Sequence, residues 1–312
     1  MRQLTIAGRR IADDEPAYVI AELGHNHGGS VATACDLIRS CARAGVDAVK
    51  LQKRENDTLY SPALLAQPYV NEHSFGATYG EHRAALELNA LQYRACRTAA
   101  VAAGVTCFAT AFDPPSLAFL LGLQVPAIKL ASGSVTDMPL LTLAGQSGVP
   151  VILSTGGSTD LEIDRAVQIL ARHTSDVALL HCTAAYPVLD AAELNLRCIT
   201  TLRERYPQTV IGWSGHDTGI AMALVAYSLG ARIIEKHVTL NRASKGTDHA
   251  FSLEPQGVRT LCDNLKQAHL ALGDGVKRVY RSEAGPIAKM RRTEQDGIWQ
   301  IRTPQESHNA HT

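Results

Sequence analysis

Two lysines sit where a lysine is costly. Lys50 lies in DAVKLQ and Lys129 in AIKLAS, each inside an apolar run of strand character, and an ammonium withdrawn from water needs a counter-charge. Two such groups aimed into one cleft suit a small dianion, and the hydroxyls of Thr110, Ser132 and Ser154 can complete a cradle for phosphate and carboxylate. Two other readings stand beside this one. Each lysine could pair with a carboxylate such as Glu22 or Glu235, or a desolvated lysine could serve as a Schiff-base nucleophile, which would make the protein an aldolase. His216 and His237 end two successive apolar runs, with Asp217 and Asp248 nearby. Neighbouring strands lie about 5 Å apart. Two imidazoles at one level can therefore share a divalent cation and leave coordination positions open to a substrate oxygen. A single histidine is more often a hydrogen-bonded core or surface group; the matched pair is what favours a metal.

These residues need a frame that brings them together. Eight short apolar runs are expected as strands: Tyr18–Glu22, Ala48–Gln52, Thr106–Thr110, Ala127–Ala131, Val151–Ser154, Ala178–His181, Val210–Trp213 and Ile233–His237. Most are followed by a segment with apolar residues at helical spacing, with boundaries such as Ser30 and Gly45 around VATACDLIRSCARA and a Thr159–Glu162 capping box. Eight βα units in this order predict an α/β fold, a TIM (β/α)₈ barrel over residues 1–275, whose site forms at the C-terminal strand ends. The candidate residues fall at those ends. A long excursion after the second strand, Leu59 to Glu87, is placed to cover that face. The stretch AMALVAYSLGA (221–231) is apolar nearly all round and suggests an oligomer contact; residues 276–312, rich in polar groups, are expected as a C-terminal tail.

Composition narrows the class. The 312 residues are 46% hydrophobic and 19% charged, enough apolar content for one sizeable core, and 30 basic residues balance 30 acidic ones. No net field favours nucleic acid, so an anion must be held by a few placed groups. Seven cysteines in no C-x-x-C pair read as reduced thiols, and no run reaches membrane-spanning length, so a soluble cytoplasmic protein is expected. His25 and His27 form an H-x-H at the first strand end, which raises a rival: hydrolases of the amidohydrolase type carry this triplet, but with an Asp at the eighth strand end where this chain has His237.

The segments AELGHNHGG, DAVKLQKR, ATAFD, IKLASGSVTDMPLL, PVILSTGG, LLHCTAAYP, WSGHDTG, ARIIEKHVTL and TDHAFSLEP, in this order over most of the chain, resemble the sialic acid synthase family. The resemblance implies a phosphoenolpyruvate-condensing barrel enzyme, a homo-oligomer (a dimer), whose second substrate is a sugar aldehyde such as N-acetylmannosamine. It implies that His216 and His237 hold a divalent cation, manganese first and magnesium or cobalt as alternatives, and that Lys50, Thr110, Lys129, Ser132, Ser154 and Ser214 bind phosphoenolpyruvate. Glu22, Gln52, Tyr186 and Asp248 would contact the sugar or water, with Glu22 the candidate general acid or base. Carbon 3 of the enol would attack the aldehyde, water would add at carbon 2, and phosphate would leave to give a 2-keto-3-deoxy sugar acid. Two departures are expected to matter. Ala184 and Ala185 stand where the family often has Asn or Ser after HCT, and the sequence stops short of the small antifreeze-like domain with which relatives end, so sugar recognition is expected to differ. A sugar-phosphate aldolase or hydrolase on the same barrel, or a non-catalytic binding subunit, are the competing readings.

Overall fold

The computed structural model describes residues 2–301 and falls into two compact units that divide between Ala271 and Leu272. In the first unit the strands β3 (Tyr18–Glu22), β4 (Ala48–Lys53), β5 (Thr106–Ala111), β6 (Ile128–Leu130), β7 (Val151–Ser154), β8 (Val177–Cys182), β9 (Val210–Gly215) and β10 (Ile233–His237) pair in parallel, and β10 closes on β3. The barrel is the one the spacing predicts, with strand ends shifted by a residue or two. These strands are runs of Val, Ile, Leu and Ala because parallel barrel strands are covered on both faces, by the packed interior and by the outer helices. Almost all of their residues are buried.

Register places the chemistry. Glu22 pairs across from Lys50 and from His237, Gln52 from Thr110, Thr110 from Lys129, and Glu235 from Ser214, so the polar side chains stand at neighbouring levels near one end.

The other end is closed by a hairpin that the alternation of long runs did not reveal. Strands β1 (Gln3–Ile6) and β2 (Arg9–Ala12) are antiparallel, and the turn residues Ala7 and Gly8 both have positive φ, 48° and 81°, the geometry of a tight hairpin turn. Leu4, Ile6 and Ile11 are buried in the core. Next to the hairpin, Asp13 accepts from Arg203 at 2.7 Å and Arg2 at 3.2 Å, its carbonyl accepts from Arg232 at 3.1 Å, and Asp47 accepts from the Val19 amide at 2.8 Å. Val19, Asp47 and Arg232 mark strand beginnings, so the hairpin lies across the floor of the barrel.

The excursion after β4 folds as three short helices, Asn56–Leu59, Pro62–Leu65 and Tyr79–Leu86, held by edge-on contacts among Tyr60, Tyr69 and Tyr79. Helix Ala221–Ser228 buries Ala223, Ala226 and Tyr227 and leaves Val225 exposed, so much of its apolar circumference is spent inside its own unit. Among the described residues no helix is long and apolar enough to cross a membrane.

In the second unit, residues expected as a surface tail carry regular elements. A helix spans Arg281–Met290, its start fixed by the Tyr280 amide donating to Glu283 at 2.7 Å, and β11 (Arg292–Gln295) pairs with β12 (Ile298–Ile301). The Asp296-Gly297 turn, with φ of 54° and 75°, is a strong hairpin signal that the charge-rich composition obscures. Residues 302–312 of the expected tail lie outside the described residues.

Candidate active site

At the C-terminal end of the barrel lies a cavity of about 480 Å³. Glu22, Lys50, Gln52, Thr110, Lys129, Ser132, Ser154, Tyr186, Ser214, His216, His237 and Asp248 all line it. Thus the twelve residues given a catalytic, substrate or metal role from the sequence are brought to one place. Beside them stand His25, Arg54, Arg83, Phe112, Cys182, Glu235 and Thr247.

The two strand lysines are paired with carboxylates. Lys50 forms an ion pair with Glu22 and donates to the Thr110 hydroxyl at 2.7 Å, while Glu235 Oε1 lies 3.8 Å from the ammonium groups of both Lys50 and Lys129 and accepts from Ser214 Oγ at 3.1 Å. Two cations thus face two carboxylates, all of them buried. Their environments push the two acids apart. Burial raises the Glu22 carboxyl above its ordinary range by more than Lys50 lowers it, and Glu235 adds to the rise. Burial acts on Glu235 too, but Lys129 and Lys50 outweigh it and hold that carboxyl at about 2. Burial lowers the Lys129 ammonium below its usual value. A raised acid beside a firmly ionised one is how a site separates proton-carrying from charge-balancing roles.

On the β6–β7 side, Ser132 Oγ accepts from the Gly156 amide at 2.9 Å. A Cβ at Gly156 would come within 3.0 Å of that oxygen, so only glycine allows this approach without displacement. Ser154 Oγ is buried with no partner. A buried hydroxyl left unpaired is uncommon in a native fold and marks a place for a ligand or water.

The histidines meet on the opposite side, their ring centroids 5.5 Å apart. His216 Nδ1 lies 2.8 Å from the Thr183 carbonyl; in donating there it leaves Nε2 with a free lone pair. His237 Nδ1 is buried without a hydrogen bond and 3.5 Å from Asp248 Oδ2. Burial keeps both rings neutral near pH 7, lowering His216 to about 4 and His237 below its ordinary value. Neutral imidazole with an unpartnered nitrogen is the form a metal takes, so this pair fits a divalent cation. Among the described residues no set of three or more His, Cys, Asp or Glu gathers as a ligand nest, so a cation here would keep most of its sphere for water and substrate. Gly24, at φ +51°, lets the chain pass under this pair; a Cβ there would reach 3.2 Å from Asp248 Oδ2 and 3.3 Å from His237 Nδ1. The exposed ring of Tyr186 lies over His216, centroids 4.1 Å apart.

Three features depart from the sequence reading. The H-x-H splits: His25 faces the cavity with its Nε2 2.9 Å from Arg54 Nη1, whereas His27 turns to accept from the Gly29 amide at 3.0 Å. Asp217 is drawn away by Lys236, at 2.7 Å, because Lys236 alternates to the other face of β10 from Glu235 and His237. And Arg54 and Arg83 join the lining without an assignment from the sequence. Arg54 had a signal: Lys50, Gln52 and Arg54 are two residues apart and continue one face of β4. Arg83 belongs to the excursion, where strand periodicity says nothing.

The sequence profile of the NeuB family matches residues 37–277. This chain belongs to the NeuB family. It shares 36% identity over 276 residues with human N-acetylneuraminate-9-phosphate synthase, covering 88% of this chain and 77% of that one. It shares 33% over 283 residues with the N,N'-diacetyllegionaminic acid synthase of Legionella pneumophila, covering 88% and 79%. Among solved structures, N-acetylneuraminic acid (sialic acid) synthetase of Leptospira borgpetersenii superposes with a TM-score of 0.80 at 31% identity, covering 92% of this chain and 95% of that one. A 3-deoxy-D-arabino-heptulosonate 7-phosphate synthase of Thermotoga maritima, 15% identical with a TM-score of 0.65, shares the fold. As a NeuB-family enzyme the chain is a carbon–carbon bond-forming synthase that condenses phosphoenolpyruvate with a sugar.

Proposed function

We propose that this NeuB-family enzyme condenses phosphoenolpyruvate with the open-chain aldehyde of an N-acetylated hexosamine, N-acetylmannosamine or a close relative, to give a nine-carbon 2-keto-3-deoxy acid and phosphate. The proposal includes a divalent cation, manganese first, held by His216 and His237. The observation that carries it is one cavity with paired lysines and an unpartnered Ser154 hydroxyl on one side and two neutral histidines on the other, with Glu22 between.

Phosphoenolpyruvate brings its own negative charge, so Lys50 and Lys129 exchange carboxylate partners for phosphate and carboxylate oxygens, completed by Thr110, Ser132, Ser154 and Ser214. Losing Lys50 as counter-charge raises the Glu22 carboxyl further, which suits it to carry a proton to the aldehyde oxygen or from the attacking water. Gln52, whose Nε2 donates to Glu22 at 2.7 Å, fixes the orientation of that carboxylate, and Tyr186 and Asp248 face the acceptor. When bound, the cation supplies Lewis-acid polarisation of the aldehyde. Carbon 3 of the enol bonds to the aldehyde carbon, water oxygen bonds to carbon 2, and phosphate departs with the bridging oxygen. All seven cysteines are free, in keeping with the reducing cytoplasm.

The test is turnover. Metal-stripped protein is given phosphoenolpyruvate, manganese and N-acetylated hexosamines with and without a phosphate; phosphate release requiring all three components, with one keto acid formed per phosphate, is expected. Absence of release with every acceptor, or undiminished release without a cation, contradicts the proposal.

A further inference from the structure

The ladder between β9 and β10 runs from the Trp213–Ile234 pair to the Gly215–Lys236 pair and ends there, one residue short of both His216 and His237. The two imidazoles therefore stand beyond the last rung, where the ladder no longer sets the spacing of their chains. A buried ion pair behind them takes over that task. Lys236 faces away from the cavity that Glu235 and His237 line. Its ammonium donates to the Asp217 carbonyl at 2.6 Å and to Asp217 Oδ1 at 2.7 Å, and lies 5.5 Å from the centre of the Trp213 ring. Trp213 reaches that position across Gly215, where a Cβ would collide with its ring.

Lys236 precedes His237 and Asp217 follows His216, so one ion pair ties the immediate neighbours of both histidines. At the Asp217 end it grips main chain as well as side chain, and so holds the backbone that carries His216. His237 has less to place it: its Nδ1 makes no hydrogen bond, and its ring rests among others such as Phe251, centroids 5.1 Å apart. Neither Lys236 nor Asp217 lines the cavity, so neither touches a substrate. Their side chains are only 2% and 10% exposed. Withdrawing such a pair from water offsets much of its attraction, so its worth lies more in geometry than in stability.

We propose that Lys236 and Asp217 are positioning residues that set the separation of His216 and His237 for a divalent cation; this rests on the cation site proposed above. The experiment measures manganese binding without substrates, from the electron paramagnetic resonance signal of the free ion, in wild type, Lys236→Met, Asp217→Asn and the double variant. Met keeps the apolar stem against Trp213 and removes both bonds to Asp217. Lys236→Met and the double variant are expected to raise the manganese Kd about tenfold, the usual cost of losing a group that orients metal ligands. Asp217→Asn loses less, because the Asn carbonyl and the main-chain carbonyl still accept from Lys236. Charge alone predicts the opposite sign, since removing an ammonium near a dication tightens its binding. Phosphoenolpyruvate binding without a cation should match wild type in every variant. Unchanged or tighter manganese binding in Lys236→Met, or a greater loss in Asp217→Asn than in Lys236→Met, overturns the positioning role and leaves the cation site standing. The double variant buries no unpaired charge, so it carries the test where Lys236→Met fails to fold; failure of both to fold would make the pair a support of the fold and overturn the role. No manganese binding by wild type overturns the cation site itself.

Discussion

The two ends of the barrel both concentrate charge, and they use it differently. At the floor, charged side chains pair with one another at Asp13 and are also tied to backbone: Arg203 donates to the Gly230 carbonyl at 2.8 Å, Arg232 to those of Asp13, Tyr227 and Ala231, and Asp47 accepts from the Val19 amide. At the mouth, Lys50, Lys129, Glu22 and Glu235 are tied to one another and to side chains such as Thr110, Gln52 and Ser214. A charge bound to backbone clamps the chain. A charge bound to another side chain can be handed to a ligand while the fold stays as it is. Burial follows the same division: the mouth groups are nearly sealed, so their pairing is strong and their loss exposes uncompensated charge, whereas Asp13 is about a third exposed and serves as a fastener.

This contrast can be broken in graded steps. The largest effect is expected at His237→Ala: manganese-dependent phosphate release should fall by roughly a thousandfold, the several kcal/mol a Lewis acid supplies. Stability should change little, because His237 Nδ1 makes no hydrogen bond in the fold. Retained activity would remove His237 from the proposed metal pair. At the floor, Asp13→Ala should lower unfolding free energy by about 1–3 kcal/mol in denaturant titrations, through the loss of charge-assisted bonds to Arg203 and Arg2. It should leave kcat unaltered; a matching fall in kcat would erase the division between the two ends. The smallest effect is expected at Ser154→Ala. Its hydroxyl has no partner in the fold, so stability should hold or rise slightly, while KM for phosphoenolpyruvate rises about tenfold for one lost hydrogen bond to a charged group. An unchanged KM would take Ser154 out of the anion cradle.

The barrel could be read from the sequence because its strands announce themselves by unbroken apolar runs, and the mouth could be read because polar residues at those strand ends have nowhere to point except into it. Reading failed where that logic stops. The floor hairpin is made of four-residue strands without an apolar run, and the 281–301 elements rest on a turn dipeptide and a cap inside a polar stretch. The sequence allows Lys50 to be an anion ligand or a salt-bridge partner; the structure places it in the second role while lining a cavity that calls for the first, a distinction no sequence pattern encodes. Glu235 is legible at a strand end only as an alternative partner for one lysine, and its position between two lysines is a matter of register and level. Arg83 comes from a helix whose docking over the mouth depends on tyrosine packing in the excursion.

The central claim is that the mouth lysines are held ready for an incoming phosphate and carboxylate. Isothermal titration of phosphoenolpyruvate into wild type, Asp13→Ala and Lys129→Met, each with manganese and no sugar, tests it most directly. Wild type and Asp13→Ala should bind with the same affinity, and Lys129→Met should weaken binding by about a hundredfold or more, the cost of removing a buried charged contact. Equal binding by all three proteins would contradict the account.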